Sequence, residues 1–467
     1  MRAHLNHCAG WRRALALVWA WLLCMGMVGL ANADTMRPGV TRIDRAEAPG
    51  MARALLANGQ APAALDLAMG LLQADPHDPQ ALVLISQIER VLGRFDRARD
   101  AGQAAWVYAA RPDDKFAAAV VTAQAHVSAK NWTRAQFWLR RSAQFAPDAN
   151  TSAMVARDFA TLRQTNPLSF QLGFNLTPSS NVNNGSSHAT TTFAGIPFVW
   201  QLQPEGRALS GMEISGQAGL RYRIKPTARA ATFLDLGFYL REVVLSPAAR
   251  AFAADAEAGD LAFAQVSLGI SRSWLAKNDR DTWVLGAAIA AGFSAHEPYA
   301  QTASLRLERG FALSDRNRLS AALMVEHTAY VVGGGTDAAQ IDLQWQHKLQ
   351  NGDGLSFGLG ANETVSARVA REFTSQRLSV RYDLGEIMPA FDLALSYEIE
   401  AKTFPFSGVG GARNDLRHSL RADLGLRKVK LYGFEPVISA EAARNISNVD
   451  LYDTAGVRLG LGLRSSF

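Results

Sequence analysis

The side chains able to do chemistry are few and scattered. Glu326 and His327 stand next to each other, half of an acid–base pair of the kind a barrel-borne lipid hydrolase uses. No Ser–His pair can be assembled around them. The chain has no His-Glu-x-x-His, no Gly-x-Ser-x-Gly and no Gly-x-x-x-x-Gly-Lys-Ser/Thr. The glycine clusters at 333–335 and 408–411 read as flexible loops, because neither follows a buried strand and opens a helix. His327, His347 and His418 fall among apolar residues in alternating segments, where a histidine beside a membrane interface is the commoner case. The expectation is a protein that is not an enzyme and carries no cofactor and no metal.

Charge in the second half of the chain is more ordered. Arg221, Arg223, Arg377, Arg381, Arg421, Arg427 and Arg458 sit on the polar register of alternating segments, with Asp342, Asp383 and Asp423 among them. If those segments form a barrel, Arg221, Arg223, Asp342, Arg377, Arg381, Arg421, Asp423 and Arg427 are candidates for a luminal pathway. A salt-bridged interior is the plainer reading of any one of them.

What positions these residues starts with a segment to be removed. Arg2, Arg12 and Arg13, an apolar run over 14–30 and the small-residue site Ala31-Asn32-Ala33 read as a cleaved signal peptide over 1–33. Its loss takes three arginines and both cysteines, Cys8 and Cys24, so the formal charge falls from +6 to +3. The mature chain then has no disulfide and no thiol nucleophile, and its weak charge gives no argument for nucleic acid, so no nucleic-acid partner is expected. Among the residues that follow, no run of 18 apolar residues offers a transmembrane helix.

The mature chain changes character near Pro167. Residues 34–167 hold six glycines, whereas 168–467 hold 29 and eight of the nine tyrosines. In the first part Gly59-Gln60-Ala61-Pro62-Ala63-Ala64 aligns with Gly93-Arg94-Phe95-Asp96-Arg97-Ala98 and with Lys130-Asn131-Trp132-Thr133-Arg134-Ala135. Prolines Pro76, Pro112 and Pro147 close the units. This resembles tetratricopeptide repeats, helix pairs that cross on small residues. Trp106, Trp132 and Trp138 are expected to pack in its core rather than line a groove.

The second part alternates with period two, as over 212–224, 341–349 and 416–427. The segments run to about 10–15 residues, long for a soluble sheet and suited to a tilted membrane strand. Fourteen such segments are predicted from Leu168 to Phe467, an even number that returns the last strand to the side of the first. Long connections at 178–210, 246–260 and 402–414 alternate with tight turns at 225–230, 277–281, 314–317 and 350–354, as in outer-membrane barrels. All nine later prolines, Pro178 and Pro436 included, are expected between segments or at a segment start. Tyr222, Trp274, Trp283, Tyr330, Trp345 and Tyr382 near segment ends fit interfacial girdles. The last segment places Val457, Leu459, Leu461, Leu463 and Phe467 on one face, and terminal Phe467 resembles the signal read by the barrel-assembly machinery. The fold class expected is therefore a tetratricopeptide-like α-helical domain over 34–167, followed by a 14-stranded antiparallel transmembrane β-barrel over 168–467.

Helical repeats feeding such a barrel, with Ser180-Asn181-Val182-Asn183 after the first barrel strand, resemble the surface lipoprotein assembly modifiers of Gram-negative bacteria. The resemblance implies an outer-membrane translocator with its helical domain in the periplasm. It would deliver lipoproteins or secreted haem-acquisition proteins to the cell surface. The implied partners are a client lipoprotein or secreted protein, a periplasmic chaperone, the barrel-assembly machinery and outer-membrane lipid. An exopolysaccharide export porin is the alternative, although such porins carry longer repeat arrays and a strongly charged conduit. A general outer-membrane channel comes third.

Overall fold

The computed structural model describes residues 43–192, 198–388, 390–407, 411–429, 432 and 434–465. The predicted signal peptide, Pro197, Pro389, the 408–410 part of the second glycine cluster and Phe467 lie outside the described residues.

Seven helices precede the first barrel strand among the described residues: α1 (Ala48–Ala57), α2 (Ala61–Ala74), α3 (Pro79–Val91), α4 (Phe95–Tyr108), α5 (Pro112–Ser128), α6 (Trp132–Gln144) and α7 (Ala149–Thr165). They form three pairs and a closing helix, and the pairs turn alike. Gly59 and Gly93 take the left-handed conformation at φ 77° and 76°, and Lys130 holds the equivalent place at φ 58°. In each turn two backbone N–H groups fold back onto the last carbonyls of the preceding helix, as in Gly59 to Leu56 (3.1 Å) and Gln60 to Leu55 (2.9 Å). The third unit therefore copies the geometry without the glycine. Starts are set by Pro79 and Pro112 in the first turn and by the Asp78 and Asp148 side chains, which accept from Gln80 and Thr151 N–H.

Small residues sit where these helices cross. Ala64, Ala68, Ala98, Ala105, Ala118 and Ala135 are fully buried, and Ile88 and Leu84 fill the gaps. Trp138 is buried, with Trp106 and Trp132 packed against the same cluster, so the tryptophans are core residues.

Among the described residues fourteen antiparallel strands close into a barrel. They are β1 (Leu168–Ser179), β4 (Gly211–Ile224), β5 (Ala230–Leu245), β6 (Phe263–Leu275), β7 (Thr282–Ser294), β8 (Glu297–Ala312), β9 (Asn317–Tyr330), β10 (Gly335–Lys348), β11 (Gly354–Ser366), β12 (Phe373–Met388), β13 (Phe391–Phe404), β14 (Arg413–Leu426), β15 (Phe434–Ser447) and β16 (Thr454–Ser465). β2 (Thr190–Thr192) and β3 (Val199–Gln201) make a separate hairpin in the first connection. Each barrel strand pairs with its chain neighbours, and β16 returns to β1.

The alternation sorts side chains cleanly. Phe170, Leu172, Leu236, Leu268, Ile289, Leu305, Leu343, Leu359 and Leu459 share the outer register and are exposed, which leaves an apolar belt around the barrel. Tight turns lie at the end where the helices attach, called proximal here. The distal connections range from the long 180–210 segment to the two residues Ala295 and His296. The 246–262 connection, expected as loop, contains a short helix α8 (Pro247–Phe252) with Ser246 as its cap.

Two expectations need correction. Pro178 lies inside β1 and Pro436 is the third residue of β15, rather than at segment boundaries. Pro178 is tolerated because it meets β16 where pairing is sparse. Tyr330 pairs in register with Ala300 on the inward set, so it does not join the outer aromatic girdle. Instead it carries the Arg371 guanidinium 3.8 Å from its ring centre.

Candidate functional site: the barrel interior and its closing seam

Strand parity settles the fate of each candidate. Glu326 and His327 are consecutive on β9, so they face opposite sides of the wall. Glu326 lines an inner cavity of about 250 Å³ with Gln340, Asp342, Arg377, Glu400 and Lys402. His327 faces outward, 2.7 Å from Asp337. His347 and His418 also face outward, bonded to Asn317 (2.8 Å) and the Tyr397 hydroxyl (2.7 Å).

Inside, the arginines on the β10–β16 side are paired in a ladder. Arg377 donates to Asp342 at 2.8 Å and approaches Glu398 at 4.0 Å. Arg381 bonds Asp383 at 2.9 Å and reaches Asp423 at 3.6 Å. Arg421 continues the row from Asp423 (2.9 Å) to Glu441 (3.6 Å), which also faces Arg458 at 3.8 Å. Asp342, Arg377, Arg381, Arg421 and Asp423 are thus brought to one wall. Arg221 stands apart, paired with Asp235 of β5. Each such pair in wet surroundings is worth about 0–1 kcal/mol, so the ladder balances charge more than it stabilises the wall. Glu398, Glu400 and Glu441 complete it. They share the inward parity of the arginines, and extending the alternation one strand further would have found them.

The opposite wall is stripped of bulk. Ser267, Gly269 and Ser271 of β6 face inward beside Gly286, Ala288 and Ala290 of β7.

Two candidates leave the interior. Arg427 lies beyond β14 in the proximal turn and is exposed. Arg223, at the proximal end of β4, donates to the carbonyl oxygens of Gln164, Thr165 and Asn166, the C-terminal end of α7. Asn166 is buried there. Its amide donates to Thr133 (3.1 Å) and Gln136 (2.9 Å) of α6, while its oxygen accepts from Leu168 N–H (3.0 Å). On the far side of the barrel closure, Gln144 of α6 accepts from Tyr432 N–H (3.0 Å), and Arg140 lies 5.0 Å from the Phe434 ring centre. The helical module is thus fastened to β4 and to the β14–β15 turn, on either side of β1 and β16.

That closure is uneven. β1 pairs with β4 along its whole length, from Leu168 with Tyr222 to Ser179 with Gly211. With β16 its register pairs among the described residues are Asn175, Leu176 and Ser179, opposite Gly462, Leu461 and Arg458. Leu463, Arg464 and Ser465 stay paired with β15, yet none has a register partner in β1 among the described residues.

The distal end of the seam is clasped by the Ser-Asn-Val-Asn run. Ser180 N–H donates to Val457 O (3.0 Å), and Val457 N–H returns a bond to the Ser180 hydroxyl (2.9 Å). Asn181, buried, donates to Ala455 O (3.1 Å) and Gly185 O (2.8 Å) and accepts from Gly185 N–H (2.8 Å). Val182 is buried against Leu209, Val243 and Leu245, while Asn183 holds Glu205 O, Arg207 O and Leu209 N–H.

No protein-family model matches this sequence, and no curated protein matches it. Among solved structures, the helices are similar to the TPR2B domain of yeast Sti1 in its pHsp70 complex, at 14% identity and TM-score 0.24, covering 26% of this chain and 98% of that one. The barrel is similar to the anion-selective porin of Comamonas acidovorans (12% identity, TM-score 0.34), over 64% of this chain and 100% of that one. It is also similar to a loop-deleted OmpT, an outer membrane protein of Vibrio cholerae (11% identity, TM-score 0.32), over 64% and 99% of the two chains. These likenesses are of fold.

Proposed function

We propose that this protein is an outer-membrane export factor of the surface lipoprotein assembly modifier kind, moving lipoproteins or secreted haem-acquisition proteins to the cell surface without covalent chemistry. Its apolar belt would face lipid, its proximal end the periplasm and its distal loops the outside. The observation that carries the reading is the fastening of a helical-repeat module to both flanks of the barrel closure, through Arg223 on one side and Gln144 with Arg140 on the other. A diffusion channel has no use for such a module. A polysaccharide conduit is disfavoured by the paired interior, where Arg221, Arg377, Arg381, Arg421 and Arg458 each have a carboxylate within 4.0 Å. The module would hold a client, alone or on a chaperone, beside the barrel, and client folding outside would bias the direction.

The test is surface labelling of a co-expressed client lipoprotein in cells with and without this protein. Labelling should fall to background without it. Equal labelling in both would overturn the reading.

A further inference from the structure

We infer that the outer flank of α6 is a docking surface for the lipid leaflet around the proximal rim, with Arg134 and Arg141 on the phosphates of anionic headgroups and Phe137 in their apolar margin. The inference rests on the membrane placement proposed above and is independent of the client.

Contacts along α6 fix where it lies. Thr133 and Gln136 hold Asn166, two residues before β1, and Gln144 meets the β14–β15 turn at Tyr432. The helix therefore follows the proximal rim beneath β1, β16 and β15. Phe434 pairs with Ser465 and shares the parity of Ile438 and Ala440, so it faces outward. It joins Tyr222, Trp274 and Trp283 in a proximal aromatic girdle, the depth at which headgroups begin. Arg140 lies 5.0 Å from the Phe434 ring centre, which brings α6 to the lipid side of the rim. The end of α7 is held by Arg223, a residue of luminal parity, so α7 lies inward of α6.

Three sides of α6 are then accounted for, and the fourth is the flank in question. Arg140 also stands 4.8 Å from the ring centre of Phe159 in α7. Ala135, Trp138, Leu139 and Ser142 are buried in the core. Arg134 and Arg141 lie about 100–120° round the helix from Arg140, on the flank turned away from α7. Phe137 stands between them and is 51% exposed.

Charge on this flank differs from the rest of the module. Arg45, Arg94, Arg97, Arg99 and Arg111 are each paired with a carboxylate. α6 carries three arginines and no acidic residue, and neither Arg134 nor Arg141 has a carboxylate within 4.0 Å among the described residues. Arg141 is held against the rings of Phe137 (4.4 Å), Trp138 (4.8 Å) and Trp106 (5.2 Å), so little side-chain freedom is lost when it takes a ligand. Guanidinium groups fork onto phosphate oxygens, and an exposed ring beside them fits the apolar margin under the headgroups. An acidic protein segment would answer the charge alone, whereas a leaflet answers the charge, the ring and the position at the girdle.

The test places the protein, with p-benzoylphenylalanine in place of Phe137, in nanodiscs of phosphatidylcholine alone or of equal parts phosphatidylcholine and phosphatidylglycerol. After irradiation, intact-mass spectrometry should show a phosphatidylglycerol adduct in the mixed discs that exceeds any phosphatidylcholine adduct. Arg134→Glu should cut that adduct about fivefold and Arg134→Glu with Arg141→Glu further, while Arg134→Lys keeps it near the parent level. If reversal at Arg141 disturbs its packing on Trp106, the exposed Arg134 decides alone. Equal adducts to both lipids, or an adduct indifferent to charge reversal, overturn the inference. So does an adduct to a protein in place of lipid when the same variant is irradiated in cells. Barrels that enter the discs yet give no lipid adduct overturn this inference alone, whereas a barrel that enters neither kind of disc overturns the membrane placement with it.

Discussion

His126 is a deeply buried ionisable side chain of the helical module. It is 1% exposed, and neither ring nitrogen has a hydrogen-bond partner among the described residues. Burial, and then the nearby Arg99 and Arg134 charges, push its pKa from 6.5 down to about 4. The unfolded imidazole takes its proton near 6.5 and the folded one only near 4. Stability is therefore complete above the upper value and drains away as pH falls toward the lower one. The thermal midpoint of helical ellipticity, followed on the whole chain in detergent, should drop steadily across that window. His126→Leu should flatten this dependence. At the same scale, Asn181 and Asn183 show what the sequence withheld. In the sequence they only carry a resemblance, and their actual work, standing in for backbone partners of residues more than twenty positions away, is visible only once the chain has closed.

Elements were the most legible level. Period two over 212–224 and 416–427 falls on β4 and β14 nearly end to end, and over 341–349 on the second half of β10, because each has one apolar and one polar face. The Gly59, Gly93 and Lys130 alignment marks three turns of one geometry. What escaped was structure inside connections, although Ser246 followed by Pro247 is a helix start by its own chemistry. Helix crossing gives the prediction here. A Cβ on Gly102 of α4 would lie 3.2 Å from the Ser86 hydroxyl and closer still to that of Thr122. Both hydroxyls are committed, to Ala98 O and Ala118 O, at 2.7 Å each. Gly102→Val should cost about 1–3 kcal/mol in denaturant unfolding of the helices, with the barrel unaffected. An unchanged midpoint would mean that α4 is free to move away from α5.

The whole molecule depends on a joint that no local pattern announces. Arg223 carries the same alternation as Arg221, and parity alone assigned both to the lumen. One meets a carboxylate inside, while the other leaves the mouth to gather the carbonyl oxygens of Gln164 and Thr165 in α7 and of Asn166 just after it. Arg223→Ala should leave the barrel assembled and release one of the module's two anchors. Spin labels on α7 and on the β4–β5 turn should then report a broadened distance distribution, where the parent gives a narrow one. A narrow distribution in the variant would assign the rigidity to Gln144 and Arg140 instead.

The distal rim has a profile of its own. The connections over 180–210 and 246–262 are built up by buried Val182, Leu209 and Ala249, while Ala295 and His296 alone join β7 to β8. Around its circumference the mouth is a high parapet on one side and almost bare strand ends on the other. On the orientation proposed above, an antibody or phage would meet folded relief over β1–β6 and little to grip over β7 and β8.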